Sequence, residues 1–254
     1  MQHEESVNFS RDEVRETVIP AYMGLIKQLD DHLGRLFAFL EAEGRMDDTL
    51  IVLTSDHGDY LGDHWLGEKE LFHEESVRIP LIVYSPDAAA DVTRGRVERR
   101  FAEAIDLAAT FLDAAGGAPQ PHRLEGVSLL PLLDGREMPG WRDATFSEFD
   151  YAFREARQIL KLPADQARGW MVRTDRWKYI AYEGFRPQLF DLEQDPDEFE
   201  DLGDSPAHEA VRAEMAARLL DWLKQRRIRT TISNEDVEKR TGNAKSRGIL
   251  FGVW

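Results

Sequence analysis

Leu50-Ile51-Val52-Leu53-Thr54-Ser55-Asp56-His57-Gly58 decides the reading of this chain: an uninterrupted apolar run ends abruptly in a carboxylate, an imidazole and a glycine. Such a run suits a strand buried on both faces of a parallel sheet, and ligands of open α/β sheets gather where those strands end. On a regular strand Asp56 and His57 would point to opposite faces. Convergence on one cation would require a bend, which Gly58 makes easier; taken alone, the three residues read as a capping Asp56 beside an ordinary polar His57.

Upstream, Val14, Val18, Tyr22, Leu25, Leu29, Leu33, Leu36 and Leu40 recur every three or four residues and predict an amphipathic helix between Ser10 and Gly44. Ser10 with Glu13 reads as a capping box, Gly44 as a left-handed stop, and Pro20 as a kink or break. Downstream, Leu81-Ile82-Val83-Tyr84 is a second apolar run. A helix, a buried strand and a crossover of about 25 residues to another strand form the rhythm of a layered α/β domain with helices on both sheet faces. Asp106 reads as the N-cap of a helix that buries Ala109, Phe111 and Leu112 and stops at Gly116-Gly117.

From about Trp141 the pattern changes to short strands: Thr145 to Phe149, Trp170 to Thr174, Trp177 to Tyr182 and Gln188 to Leu192, with a tight turn at Asp175-Arg176. Ser205-Pro206 opens a helix whose Val211, Met215, Leu219, Trp222 and Leu223 form one apolar face, suited to covering that sheet. The organisation expected is an α/β unit over residues 1–139, a small antiparallel α+β subdomain over 140–228 and a tail over 229–254.

The 254 residues carry a formal charge of -16, which repels nucleic acid and anionic membranes. No apolar run approaches the roughly 18 residues that span a bilayer, and Met1 to Glu5 lacks the features of a signal peptide, so the expectation is a cytoplasmic chain. Absence of cysteine rules out disulfides and thiolate chemistry within these residues. No glycine-rich phosphate loop follows either apolar run, which argues against nucleotide binding.

Lys69 follows His57 by 12 residues, with Gly62-Asp63-His64 between, so a loop can fold an ammonium and a second imidazole towards the strand end. Lysine is a point charge suited to anionic oxygens, although by spacing alone Lys69 reads as a solvated loop lysine and His64 as a loop hydrogen bonder. His73-Glu74-Glu75 reads as solvated helix neighbours whose side chains diverge, and Asp191 to Asp201 as an exposed acidic turn without the ligand alternation of a calcium loop. The cations after Trp222, including Lys224, Arg226, Arg227 and Arg229, favour a helix C-terminus. Phe251 and Trp254 suggest an arm docking on a neighbouring subunit in a homo-oligomer.

Ser55 to His64, Lys69, Arg78-Ile79-Pro80-Leu81-Ile82-Val83, Ile105 to Thr110, Glu125 to Leu133, Lys178-Tyr179 and Leu189 to Glu198 form an ordered series. It resembles the C-terminal half of the sulfatases of the alkaline phosphatase superfamily. Within them it is most similar to the phosphonate monoester hydrolases, through Glu148-Phe149-Asp150-Tyr151 and the basic C-terminal extension. The resemblance implies a partial alkaline-phosphatase-like α/β/α core followed by the antiparallel subdomain. It implies Asp56 and His57 as ligands of one divalent metal ion, Ca2+ or Mn2+, Lys69 as the contact to the substrate oxyanion or leaving oxygen, and His64 as a supporting catalytic residue. The implied substrate is a small-molecule sulfate or phosphonate ester, cleaved by in-line displacement. The family's nucleophile and two further aspartate ligands belong to an N-terminal half with no counterpart here, so the expectation is a fragment, either catalytically incomplete or an assembly module.

Overall fold

The computed structural model describes residues 4–226 and 232–240. A 3-10 turn over Glu4–Ser10 leads into α1 (Asp12–Ala42), then β1 (Ile51–Thr54), α2 (Glu74–Val77), β2 (Leu81–Tyr84), α3 (Ile105–Ala114) and α4 (Leu130–Leu133). The second half contains β3 (Thr145–Asp150), α5 (Glu155–Ile159), β4 (Arg168–Arg173), β5 (Trp177–Tyr182), β6 (Gln188–Asp191), α6 (Glu209–Gln225) and α7 (Asn234–Arg240).

The predicted helix is present as α1, but its ends are made differently. Arg11, not Ser10, is the N-cap, and the Ser10 hydroxyl donates to the Val7 carbonyl, so the capping box does not form. Pro20 lies inside the helix without dividing it. Gly44, at φ +64°, does end the last turn, with Gly44 N–H donating to the Glu41 carbonyl and Arg45 N–H to that of Leu40. None of α1 is fully buried: Leu25 and Leu29 of its apolar stripe are 63% and 54% exposed.

β1 and β2 form a two-stranded antiparallel sheet, with Ile51 opposite Tyr84 and Thr54 opposite Leu81. This corrects the parallel crossover. A parallel return needs a connection that travels back along the sheet, usually on a long helix, whereas residues 55–80 contain only the four-residue α2 as α-helix. The connection leaves and re-enters at one edge, where the Thr54 hydroxyl donates to the Pro80 carbonyl at 2.8 Å. Nor is the apolar run buried on both faces: Ile51, Val52 and Leu53 are half-buried and Ile82 is 62% exposed.

The second half follows the sequence reading closely. β3, β4, β5 and β6 make an antiparallel meander in chain order, with the β4–β5 turn between Arg173 and Lys178. Alternation sorts the side chains into two cores. Val172, Tyr179 and Leu189 pack with Met215 and Leu219 of α6, and Trp222 stacks on Phe146 at 4.9 Å between ring centroids. Met171, Ile180, Tyr182 and Phe190 face the other way, onto Phe72 and Val77 of the β1–β2 connection. That connection is therefore the second cover of the sheet.

Asp106 is fully buried at the second position of α3, and Ala104 takes the N-cap. Its carboxylate accepts from the backbone N–H groups of Glu103 and Val127, each at 2.8 Å, and from both Arg142 guanidinium nitrogens. It ties α3 to the start of the subdomain. Ala109 and Thr110 are buried, whereas Phe111 and Leu112 are 50% and 38% exposed, contrary to the face predicted. The proposed arm residues Phe251 and Trp254, with Arg227 and Arg229, lie outside the described residues.

Removing one partner of a buried, bidentate ion pair leaves the other charge desolvated. Asp106→Ala is therefore expected to lower stability by about 3–5 kcal/mol in urea unfolding, and a loss below 1 kcal/mol would show that Asp106 does not hold the two halves together.

Candidate active site

β1 stops at Thr54 and the next four residues turn sharply. His57 N–H donates to Asp56 Oδ1 at 3.1 Å, and the Ser55 hydroxyl donates to the His57 carbonyl. These local bonds supply the bend that brings neighbouring side chains together: Asp56 Oδ2 lies 3.6 Å from His57 Nε2. Gly58 contributes space rather than unusual backbone angles. A Cβ there would sit 1.8 Å from the Glu75 carbonyl oxygen, while Gly58 N–H donates to the Ser76 carbonyl at 2.9 Å.

His57 Nδ1 is 2.7 Å from the Gly58 carbonyl, an acceptor, so Nδ1 carries the proton and neutral Nε2 presents a lone pair. The Lys69 ammonium donates to that lone pair at 3.0 Å. Asp56, His57 and Lys69 thus meet at one solvent-facing point, with the Asp56 side chain 87% exposed. As donors for a cation, a carboxylate oxygen and an oriented imidazole nitrogen fit one side of a coordination sphere. Among the described residues no group of three or more His, Asp or Glu side chains completes it.

His64 makes different contacts. Its side chain is mostly buried, stacks on His73 at 4.1 Å, packs against Phe199 at 4.9 Å and holds Nε2 3.7 Å from Glu75 Oε2. It belongs to the layer beneath the loop. In that layer the Tyr60 hydroxyl, 2.8 Å from His73 Nδ1, donates to the Glu70 carbonyl at 3.1 Å. Burial pushes the Tyr60 phenol well above its ordinary range and lowers the His73 imidazole to about 3, with His64 and Lys178 adding to the second effect.

This layer is where the sequence reading failed. His73 and Glu74 are not solvated neighbours: Glu74 pairs with Lys178 at 2.9 Å and with Arg173 at 3.3 Å. Glu198, read as part of an exposed acidic turn, is 3% exposed and lies 2.7 Å from Lys178 Nζ. Burial raises its carboxyl to about 7, against the opposing pull of Lys178. Asp191 is also buried, and hydrogen bonds from Arg176 hold its carboxyl below the usual range. One signal was legible: Lys178 alternates with Ile180 and Tyr182 on the inward face of β5, where a lysine must find buried oxygens.

Residues 62–225 match the family described as N-sulphoglucosamine sulphohydrolase, C-terminal, and residues 2–118 match the sulfatase family. The multifunctional alkaline phosphatase superfamily protein PehA of Trinickia caryophylli is 38% identical over 82% of this chain and 41% of its own length. Solved structures that share the fold include two phosphonate monoester hydrolases. The phosphonate monoester hydrolase of Agrobacterium radiobacter matches with TM-score 0.75 and 37% identity, over 80% of this chain and 40% of that one. The phosphonate monoester hydrolase SpPMH of Silicibacter pomeroyi matches with TM-score 0.81 and 31% identity, over 89% and 45%. The chain spans less than half the length of these relatives.

Two measurements test the geometry. Gly58→Ala is expected to cost about 1–3 kcal/mol, as overpacking against backbone does; unchanged urea unfolding would contradict the close approach. For His73, the native state resists a proton that the unfolded state accepts below about 6.5, so its contribution falls as pH drops through that value. Relative to His73→Gln, the wild type should lose on the order of 2 kcal/mol between pH 7.5 and pH 5. A pH-independent difference would show His73 to be readily protonated in the fold.

Proposed function

Because the chain belongs to the sulfatase family, we propose that it is the C-terminal part of a metal-dependent hydrolase of sulfate esters that also takes phosphonate and phosphate esters. The observation carrying this reading is the meeting of Asp56, His57 and Lys69 at the end of β1, with 3.6 Å between the carboxylate and imidazole and 3.0 Å between imidazole and ammonium. Asp56 Oδ2 and His57 Nε2 would hold one divalent cation, Ca2+ or Mn2+, alongside ligands from outside this chain. When bound, such an ion polarises the ester oxygens.

The remaining roles belong to the chain's own side chains. The Gly58 carbonyl fixes the His57 tautomer, so that Nε2 faces the cation position without a proton. Lys69 donates to that same lone pair; beside a cation held by Asp56 and His57 its ammonium would instead face a nonbridging or leaving oxygen of the ester and offset the charge developed there in the transition state. His64 supports the loop from below through His73 and Phe199. The nucleophile is assigned to an N-terminal half, and the apolar surface of α1 and β2 to contact with that half. Residues 1–139 serve as the ligand-bearing unit and 140–228 as its support. A primarily phosphonate monoester-cleaving enzyme is the second reading, favoured by the two structural neighbours of that description. Kinetics of the full-length protein on an aryl sulfate and the matching phosphonate monoester distinguish the two.

Lys69→Met separates binding from turnover. Removal of the competing ammonium should tighten Mn2+ binding by roughly fivefold, read from paramagnetic broadening of the His57 imidazole resonances. Turnover in the full-length protein should fall by about a hundredfold or more. Manganese that leaves the His57 resonances untouched would remove the assigned ligand pair, and unchanged turnover would remove Lys69 from the reaction.

A further inference from the structure

The backbone that carries Lys69 is unusually costly to hold. Leu61, His64, Trp65, Glu68, Glu70 and Leu71, none of them glycine, all adopt positive φ between 48° and 84°. Each such residue costs on the order of a kcal/mol, so the surroundings must determine the path. Some support is internal: Tyr60 N–H donates to the Glu68 carbonyl at 2.9 Å, and its hydroxyl to the Glu70 carbonyl at 3.1 Å. The support that fixes the segment against the rest of the molecule comes from the four-stranded sheet. Lys178, 0% exposed, donates to the Phe72 carbonyl at 2.8 Å and pairs with Glu74 and Glu198 at 2.9 and 2.7 Å. The other Glu198 oxygen accepts the Glu74 N–H at 2.7 Å. Arg154 pairs with Glu70 nearer to Lys69.

We propose that Lys178 and Glu198 are positioning residues for Lys69: a buried charge clamp on Phe72 and Glu74 that keeps the strained segment 61–71 in the path that aims the ammonium at the cation site. The clamp acts through His73, whose ring meets the Tyr60 hydroxyl, and Tyr60 in turn holds both backbone carbonyls that flank Lys69. The β3–β6 sheet is then part of the reaction's machinery although, among the described residues, none of its side chains forms a hydrogen bond or ion pair with Asp56, His57 or Lys69. The proposal rests on the reading of Lys69 as the group that meets the substrate oxygen.

A test must remove the clamp without stranding a buried charge. In Lys178→Met/Glu198→Leu both ions go together, which proteins tolerate far better than loss of one, and Glu74 keeps Arg173. The expected result is a cooperative unfolding transition, with amide exchange about tenfold faster in residues 61–71 but unchanged in β4 and β5. In the full-length hydrolase, kcat should fall about tenfold with KM changed less than about threefold, the split expected when orientation rather than binding is lost. Exchange in 61–71 within about twofold of wild type, or a kcat unchanged despite faster exchange, overturns the proposal. If the double variant does not fold, Glu198→Gln, which keeps the volume and one acceptor, is read by the same two measurements. A wild-type full-length protein without esterase turnover would defeat the hydrolase reading alone, and loop exchange would still decide whether the clamp exists.

Discussion

An ammonium group taken wholly out of water must be surrounded by oxygen, and Lys178 satisfies that demand with one backbone carbonyl and two carboxylates that lie 124 residues apart in sequence. Phe72 is 106 residues away in sequence, yet the bond between them joins the sheet to the loop that leaves β1. The two inward core residues that follow on β5, Ile180 and Tyr182, bury apolar surface against the same loop. Charge satisfaction and hydrophobic cover thus fix one interface. The fold's two halves are not merely adjacent, because a single face of the meander is completed by the segment that bears the candidate chemistry.

The candidate site itself is built at much lower density. Asp56 is largely exposed, and the convergence of Asp56 with His57 depends on side chain–backbone hydrogen bonds made within three residues. Function at a sheet edge commonly has this division: the reacting groups stand in solvent on a turn, and rigidity is supplied from below. Here the layer below is aromatic and ionic, with Tyr60, His73 and His64 in contact and Glu198 enclosing it.

What the sequence disclosed follows from the range of the interactions involved. β5 was legible to the residue, and β3, β4 and β6 to within two, because alternation and turn chemistry are local. α1 was legible for the same reason, though not its cap, since Arg11 occupies a position that Ser10 would fill on paper. The direction of β2 was not legible: an apolar run states that a strand exists and says nothing about which way its neighbour travels. His57 and Lys69 could be placed together only by an ordered series of motifs, not by spacing. Glu74 and Glu198 were misread because a carboxylate in an acidic stretch looks solvated until its partner is known, and that partner sits on another element.

The exposed side chains of Leu25, Leu29 and Ile82 sit on a protein of net charge -16, and the two facts oppose each other in solution. Like-charged copies repel over about 8–10 Å at moderate ionic strength, whereas contact between oily surfaces needs no field at all. Added salt shortens the first reach and leaves the second intact. Colloidal behaviour of the isolated chain is thereby tied to ionic strength, with dilute buffer keeping molecules apart and concentrated brine inviting them to coalesce.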